Sequence, residues 1–204
     1  MKKLIGFILV VLLVVPLSLY MLVYKGEVNF TELNSLPAVD TVIENSRSLS
    51  LTPYDPFMGQ YDNIGGRLGF IVCSDIPNIA YGKSGYSLKT LLRESFKENS
   101  HFYDSRNGNN PNNPFFHRRA RNLYSYFKSV QSLRPSSYSP KVGDLVFYRK
   151  TKNGYIAHVA LVTEAYQGGY KIMESAPKTI LAQEVEMSSP ITRGWLLAGF
   201  GKMY

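Results

Sequence analysis

The stretch Lys141-Val142-Gly143-Asp144-Leu145-Val146-Phe147-Tyr148, with His158-Val159-Ala160-Leu161-Val162-Thr163 soon after it, decides the fold. Both runs are rich in β-branched, aromatic and aliphatic residues. Pro140 precedes the first and Lys152-Asn153-Gly154 separates the two, so Asp144 to Tyr148 and Val159 to Thr163 are predicted strands. Tyr170 to Met173, Ile180 to Glu186 and Trp195 to Phe200 repeat the pattern, with Gln167-Gly168-Gly169 as a further turn signal. Upstream the period changes. Leu88, Leu91, Leu92 and Phe96 fall at i, i+3, i+4 and i+8, which predicts a helix from Ser87 to Glu98 with Ser87 as its N-cap. Leu123, Phe127 and Val130 form a second amphipathic set. Between the two lies the breaker-rich segment Asp104 to Pro114, a long polar loop of the kind that often lines a binding site. Helices first and strands after predict an α+β domain with a mainly antiparallel sheet.

The chain has 204 residues, of which 45% are hydrophobic and 13% aromatic, enough for one globular domain and too apolar for a disordered chain. A formal net charge of +8 favours an anionic partner. After Met1-Lys2-Lys3, the run Leu4 to Tyr24 carries no charge. At 1.5 Å per residue its roughly 21 residues cross a hydrocarbon core of about 30 Å. The bulky end Leu19-Tyr20-Met21-Leu22-Val23-Tyr24 is unlike a small-residue cleavage site, so the run reads as an uncleaved signal anchor. The paired lysines keep the N-terminus in the cytoplasm and place the rest outside, in the periplasm or at the cell surface; cleavage would make the protein secreted. Nucleic acid is then not the expected partner, and cell-wall polymer or lipid headgroups are. The expected organisation is an anchor over 1–25, a polar stalk or linker over 26–52 that includes room for a short helix, and a domain over 53–204.

The single cysteine cannot form a disulfide within the chain. In Gly69-Phe70-Ile71-Val72-Cys73-Ser74-Asp75-Ile76-Pro77, a helix start with proline in its first turn follows Cys73. A helix N-terminus favours thiolate and makes the sulfur a nucleophile; a buried, inert thiol is the alternative. A thiolate nucleophile needs a base. Among His101, His117 and His158, the last opens a strand, which holds a ring rigidly at a cleft, although a capping or core histidine would look the same. Glu174 at the end of the next strand is placed to orient that ring, with Ser175 or a backbone carbonyl as alternatives. Asp75 reads as a helix cap, as a partner for Arg67 or for the His117-Arg118-Arg119 cluster, or as a receptor for a substrate ammonium. Tyr54 and Tyr61 are candidates for an oxyanion donor or for plain packing, beside the backbone N–H of Cys73. Arg67, Arg118 and Arg119 are candidate carboxylate ligands; the basic cluster reads equally as a solvent-facing helix start. No H-E-x-x-H, dinucleotide or phosphate-loop motif is present, so neither a metal nor a cofactor is expected.

Lys141 to Tyr148 followed by His158-Val159-Ala160-Leu161-Val162 resembles the signature of NlpC/P60-type cysteine peptidases, a papain-like superfamily of cell-wall hydrolases. Tyr54-Asp55-Pro56, Val72-Cys73-Ser74-Asp75, His117-Arg118-Arg119 with Asn122-Leu123, and Gly143-Asp144 resemble its exported DUF1287 branch, over Pro53 to Gly201. The resemblance implies a cysteine-bearing helix packed on a histidine-bearing antiparallel sheet. It implies Cys73 as nucleophile, His158 as base and Glu174 at the variable third position. The peptidases' usual Asp-Cys-Ser is Val72-Cys73-Ser74 here, with the acid displaced to Asp75. The expected activity is cleavage of an amide in peptidoglycan peptides through an acyl-thioester. Acyl or peptidyl transfer on the same fold, or a non-catalytic wall-binding module, are the alternatives.

Overall fold

The computed structural model describes residues 35–57, 69–106, 109–187 and 194–204. Among the described residues four α-helices come before the main strands: α1 (Val39–Arg47), α2 (Asp75–Lys83), and α3 (Leu88–Asn99) and α4 (Ala120–Ser129), the two that the hydrophobic period predicts. Two single 3₁₀ turns, Ser100–Phe102 and Phe116–Arg118, lie between α3 and α4. The strands are β1 (Leu133–Arg134), β2 (Leu145–Arg149), β3 (Ile156–Tyr166), β4 (Gly169–Glu174), β5 (Gln183–Met187) and β6 (Leu196–Gly201). They form one antiparallel sheet in the order β1-β6-β2-β3-β4-β5.

Alternation along the strands loads both faces of the sheet. Leu145, Phe147, Val159, Leu161 and Met173 join Ile76, Ala80, Leu92, Leu123 and Phe127 of the helices in the larger core. Val146, Tyr148, Ala160, Val162, Tyr170, Ile172 and Phe200 form a second cluster on the other face. His158 pairs with Tyr148 across β2 and β3, and Glu174 follows Ile172 at two-residue spacing, so both polar side chains emerge on that second face.

Local chemistry explains the boundaries. Ser87 caps α3 as expected, its hydroxyl accepting the Thr90 N–H at 3.2 Å. Gly143 takes φ +92 at the turn into β2, where a Cβ would lie 2.5 Å from the Tyr204 ring. The buried Asp144 beside it accepts the N–H groups of Lys141 and Met203, each at 2.9 Å. This Gly-Asp pair is therefore a structural turn that ties the C-terminus to β2.

The boundary drawn at residue 52 falls inside the folded unit. Val42, Ile43 and Leu49 are buried in the main core, and α1 packs on α2, with Asn45 Nδ2 donating to Ser84 Oγ at 2.9 Å. Polar residues on the outer face of α1 mask this narrow apolar stripe in the sequence. The chain leaving α1 is also fixed by backbone bonds, Leu51 N–H to Ala182 O at 2.9 Å and Ala182 N–H to Thr52 O at 2.8 Å. The expected anchor over 1–25 lies outside the described residues, and among the described ones no helix is long and apolar enough to cross a membrane.

Leu49 tests the boundary directly. Truncation of a fully buried leucine costs about 2–5 kcal/mol, so Leu49→Ala is expected to lower stability by that amount in urea unfolding followed by the fluorescence of the one tryptophan, Trp195. A silent substitution would return residues 39–52 to the status of a linker.

Candidate active site

Cys73 lies in the turn that leads into α2, two residues before the first helical residue, Asp75. Ser74 occupies the N-cap position without a side-chain capping bond, and Pro77 fits the first turn, where its missing N–H leaves no helical bond unmade. The turn is closed from both directions. Asp75 N–H donates to Val72 O at 2.9 Å, and Asp75 Oδ2 accepts the Val72 N–H at 2.8 Å. Cys73 is partly exposed between these bonds, while Ser74 and Asp75 are buried.

His158 is the third residue of β3 and not its first, so its ring is held deeper in the ladder than the sequence suggests. Its Nε2 lies 3.0 Å from Glu174 Oε2, and both residues are almost fully buried. That contact leaves Nδ1 as the ring nitrogen open to Cys73, which lies close enough to raise the pKa of the ring. Burial works against a charge on His158. The Cys73 charge and hydrogen bond, joined by the hydrogen bond and charge of Glu174, outweigh it and push the pKa up to about 9. A thiol on one nitrogen and a carboxylate on the other favour the imidazolium that partners a thiolate. Trp195 covers the ring at a centroid distance of 4.5 Å, and Tyr148 lies 6.0 Å away.

Tyr54 is in the same place. Its N–H donates to Ile180 O at 2.6 Å, and it bridges to Ile71, two residues before the cysteine. Burial, followed by the negative charges of Cys73 and Asp55, holds its hydroxyl above the usual tyrosine range, so it remains an O–H donor.

The other expected site residues are elsewhere or otherwise engaged. Arg118 is not a surface carboxylate ligand: its guanidinium is 2% exposed and binds Asp75 and Asp55 internally. Asp75 is likewise taken up by Arg118 and Val72, one of the pairings the sequence allows, and is not open to a substrate ammonium. The solvent-facing reading of this cluster fails at Arg118 because the short 3₁₀ turn points the side chain inward. His117 sits beside Lys89, Arg118 and Arg93; burial, followed by these cations, drives its pKa down to about 3 and leaves it neutral. Its carbonyl accepts from Asn78 Nδ2 at 2.9 Å. Arg119 Nη1 donates to Asn109 Oδ1 at 3.1 Å and helps order the polar loop before α4. Arg67 and Tyr61 lie outside the described residues. Sequence reading missed Trp195 and Asp55; the uniqueness of the tryptophan and the Tyr54-Asp55-Pro56 motif were the available signals.

An α+β domain with a cysteine in the turn before a helix, a strand-borne histidine and a buried carboxylate behind it defines the class. Residues 58–192 match the family described as Domain of unknown function (DUF1287), and the chain belongs to that family. No curated protein matches it. The structure is similar to the crystal structure, at 1.79 Å, of an NlpC/P60 family protein from Bacillus cereus ATCC 10987, with 17% identity and a TM-score of 0.48. That alignment covers 82% of this chain and 41% of the other.

The buried pair has a pH signature. The folded pKa of His158 lies above its ordinary value, so the stabilisation is present in full below pH 6.5 and is lost as pH rises through about 9. Urea midpoints are expected to fall across that window, and Glu174→Gln is expected to flatten the fall. An equal slope in the variant would show that the pair is not the source.

Proposed function

We propose that the domain is a cell-envelope cysteine hydrolase that cleaves an amide bond in peptidoglycan peptides. The observation that carries the chemistry is the buried His158 ring held between Cys73 and Glu174. The motif resemblance, the net charge of +8 and the charge-free run after Met1-Lys2-Lys3 support a wall substrate and an extracytoplasmic, membrane-anchored location.

In this reading the Cys73 thiolate attacks the amide carbonyl. The Cys73 N–H and the Tyr54 hydroxyl are the candidate donors to the developing oxyanion. As the C–N bond breaks, the His158 imidazolium gives its proton to the leaving amine and an acyl-thioester remains on Cys73. Neutral His158 then takes a proton from water, whose oxygen attacks the thioester. The acid product leaves, and the proton returns the imidazolium–thiolate pair. Glu174 keeps Nε2 protonated and turns Nδ1 toward sulfur throughout.

Purified protein is tested on muropeptides with separation of the products. Cys73→Ala and His158→Ala are each expected to lower kcat/KM by about a thousandfold or more, and Glu174→Gln by less, as for an orienting group. Mass spectrometry of a quenched reaction is expected to find the acyl group on Cys73. Full amidase activity in Cys73→Ala would defeat the proposal.

A further inference from the structure

Arg118 is far from Cys73 in sequence, yet its guanidinium reaches every segment that carries the site's cysteine end. Its Nη2 lies 2.7 Å from Asp75 Oδ2 and 3.1 Å from Asp55 Oδ2, and its Nε lies 3.1 and 2.9 Å from the two oxygens of Asp75. Nη2 also approaches Phe70 O at 3.4 Å. All three charged side chains are buried, so two carboxylates share one cation out of water. Such a triad is costly to desolvate, and apolar residues of similar volume fill a core as well or better. Stability alone is therefore a poor explanation for it.

What the carboxylates touch supplies a better one. Asp75 closes the turn around Cys73 and Ser74 by its two bonds to Val72. Asp55 N–H donates to Ile71 O at 2.9 Å, and Asp55 Oδ1 accepts the Phe57 N–H at 2.9 Å, which fixes the segment bearing Tyr54. We infer that Arg118 is a positioning residue: through Asp75 and Asp55 it fixes the turn that aims the Cys73 sulfur at His158 and the segment that presents the Tyr54 hydroxyl. The inference rests on the reading of Cys73 and His158 as the reacting pair. A planar guanidinium can meet two oxygens of one carboxylate and one of another together, whereas a lysine ammonium brings the same charge without the fork. Arg118→Lys therefore separates position from charge.

The test uses the full chain and measures the pH dependence of Cys73 alkylation by iodoacetamide, with kcat and KM on the same muropeptide. In Arg118→Lys with unchanged circular dichroism, the alkylation rate at neutral pH is expected to fall about tenfold, as for a thiol that has lost its partner. Its kcat is expected to fall about a hundredfold with KM changed less than about threefold, the mark of misplacement in the transition state. Asp55→Asn, which keeps the fork on Asp75, is the second variant and decides the matter if Arg118→Lys does not fold; its kcat is expected to fall about tenfold. Wild-type alkylation and kcat in either folded variant would overturn the role of Arg118. An alkylation profile indifferent to His158→Ala would overturn the pairing itself, and with it this inference. A profile that responds to His158→Ala and not to Arg118→Lys would remove this inference alone.

Discussion

The backbone of Ile71 joins the helical half of the molecule to the sheet. Its N–H donates to Pro53 O at 3.0 Å, and its carbonyl accepts both the Asp55 N–H at 2.9 Å and the Ser175 hydroxyl at 3.2 Å. The residue is fully buried, so none of these bonds can be exchanged for water without opening the core. One end of this ladder continues through Thr52 and Ala182 toward β5, and the other reaches Cys73 two residues later. Ser175 directly follows Glu174. The cysteine turn, the Tyr54 segment and the carboxylate behind His158 are thus spaced by one set of contacts around Ile71, and the side chains inherit their geometry from it.

The charges around this joint favour a proton on the histidine. Among the described residues, Asp55 and Asp75 are buried against the Arg118 guanidinium and Glu174 is buried against the His158 imidazole. Burial raises the pKa of Asp75 even against the charge and hydrogen bonds of Arg118. A neutral His158 would leave Glu174 facing an uncharged ring and a thiolate facing an excess of carboxylates. Protonation of the ring answers both, and the cover from Trp195 and Tyr148 keeps water from weakening the attraction.

The parts of this arrangement that are legible in the sequence are those with a period or an order. The apolar spacing of Leu88, Leu91, Leu92 and Phe96 gives α3 to within a residue, since the helix runs Leu88–Asn99 with Ser87 as cap. Turn residues around 152–154 and 167–169 locate the hairpins, and the order of cysteine, histidine strand and glutamate strand points to the cluster. Arg118 was hidden because a charge run has no direction until the backbone supplies one; a 3₁₀ turn of three residues leaves no periodic trace. The helix α1 was hidden by its composition, and the two-residue β1 by its length. Nothing local in Tyr54-Asp55-Pro56 indicates that its aspartate faces an arginine more than sixty residues away; only the register around Ile71 does that.

In the proposed cysteine hydrolase these two buried ionic groups divide the work differently from a surface constellation. The His158–Glu174 pair holds a proton and can lose it, so it belongs to the chemistry. The Asp55–Arg118–Asp75 triad is centred on a guanidinium that stays charged at any working pH, so the part proposed for Arg118 is geometry and not proton transfer. Rigid placement is worth most where the nucleophile sits on a turn, because a turn lacks the ladder that fixes His158. The cysteine end of the site needs an added clamp for that reason, and the histidine end, third in an eleven-residue strand, does not.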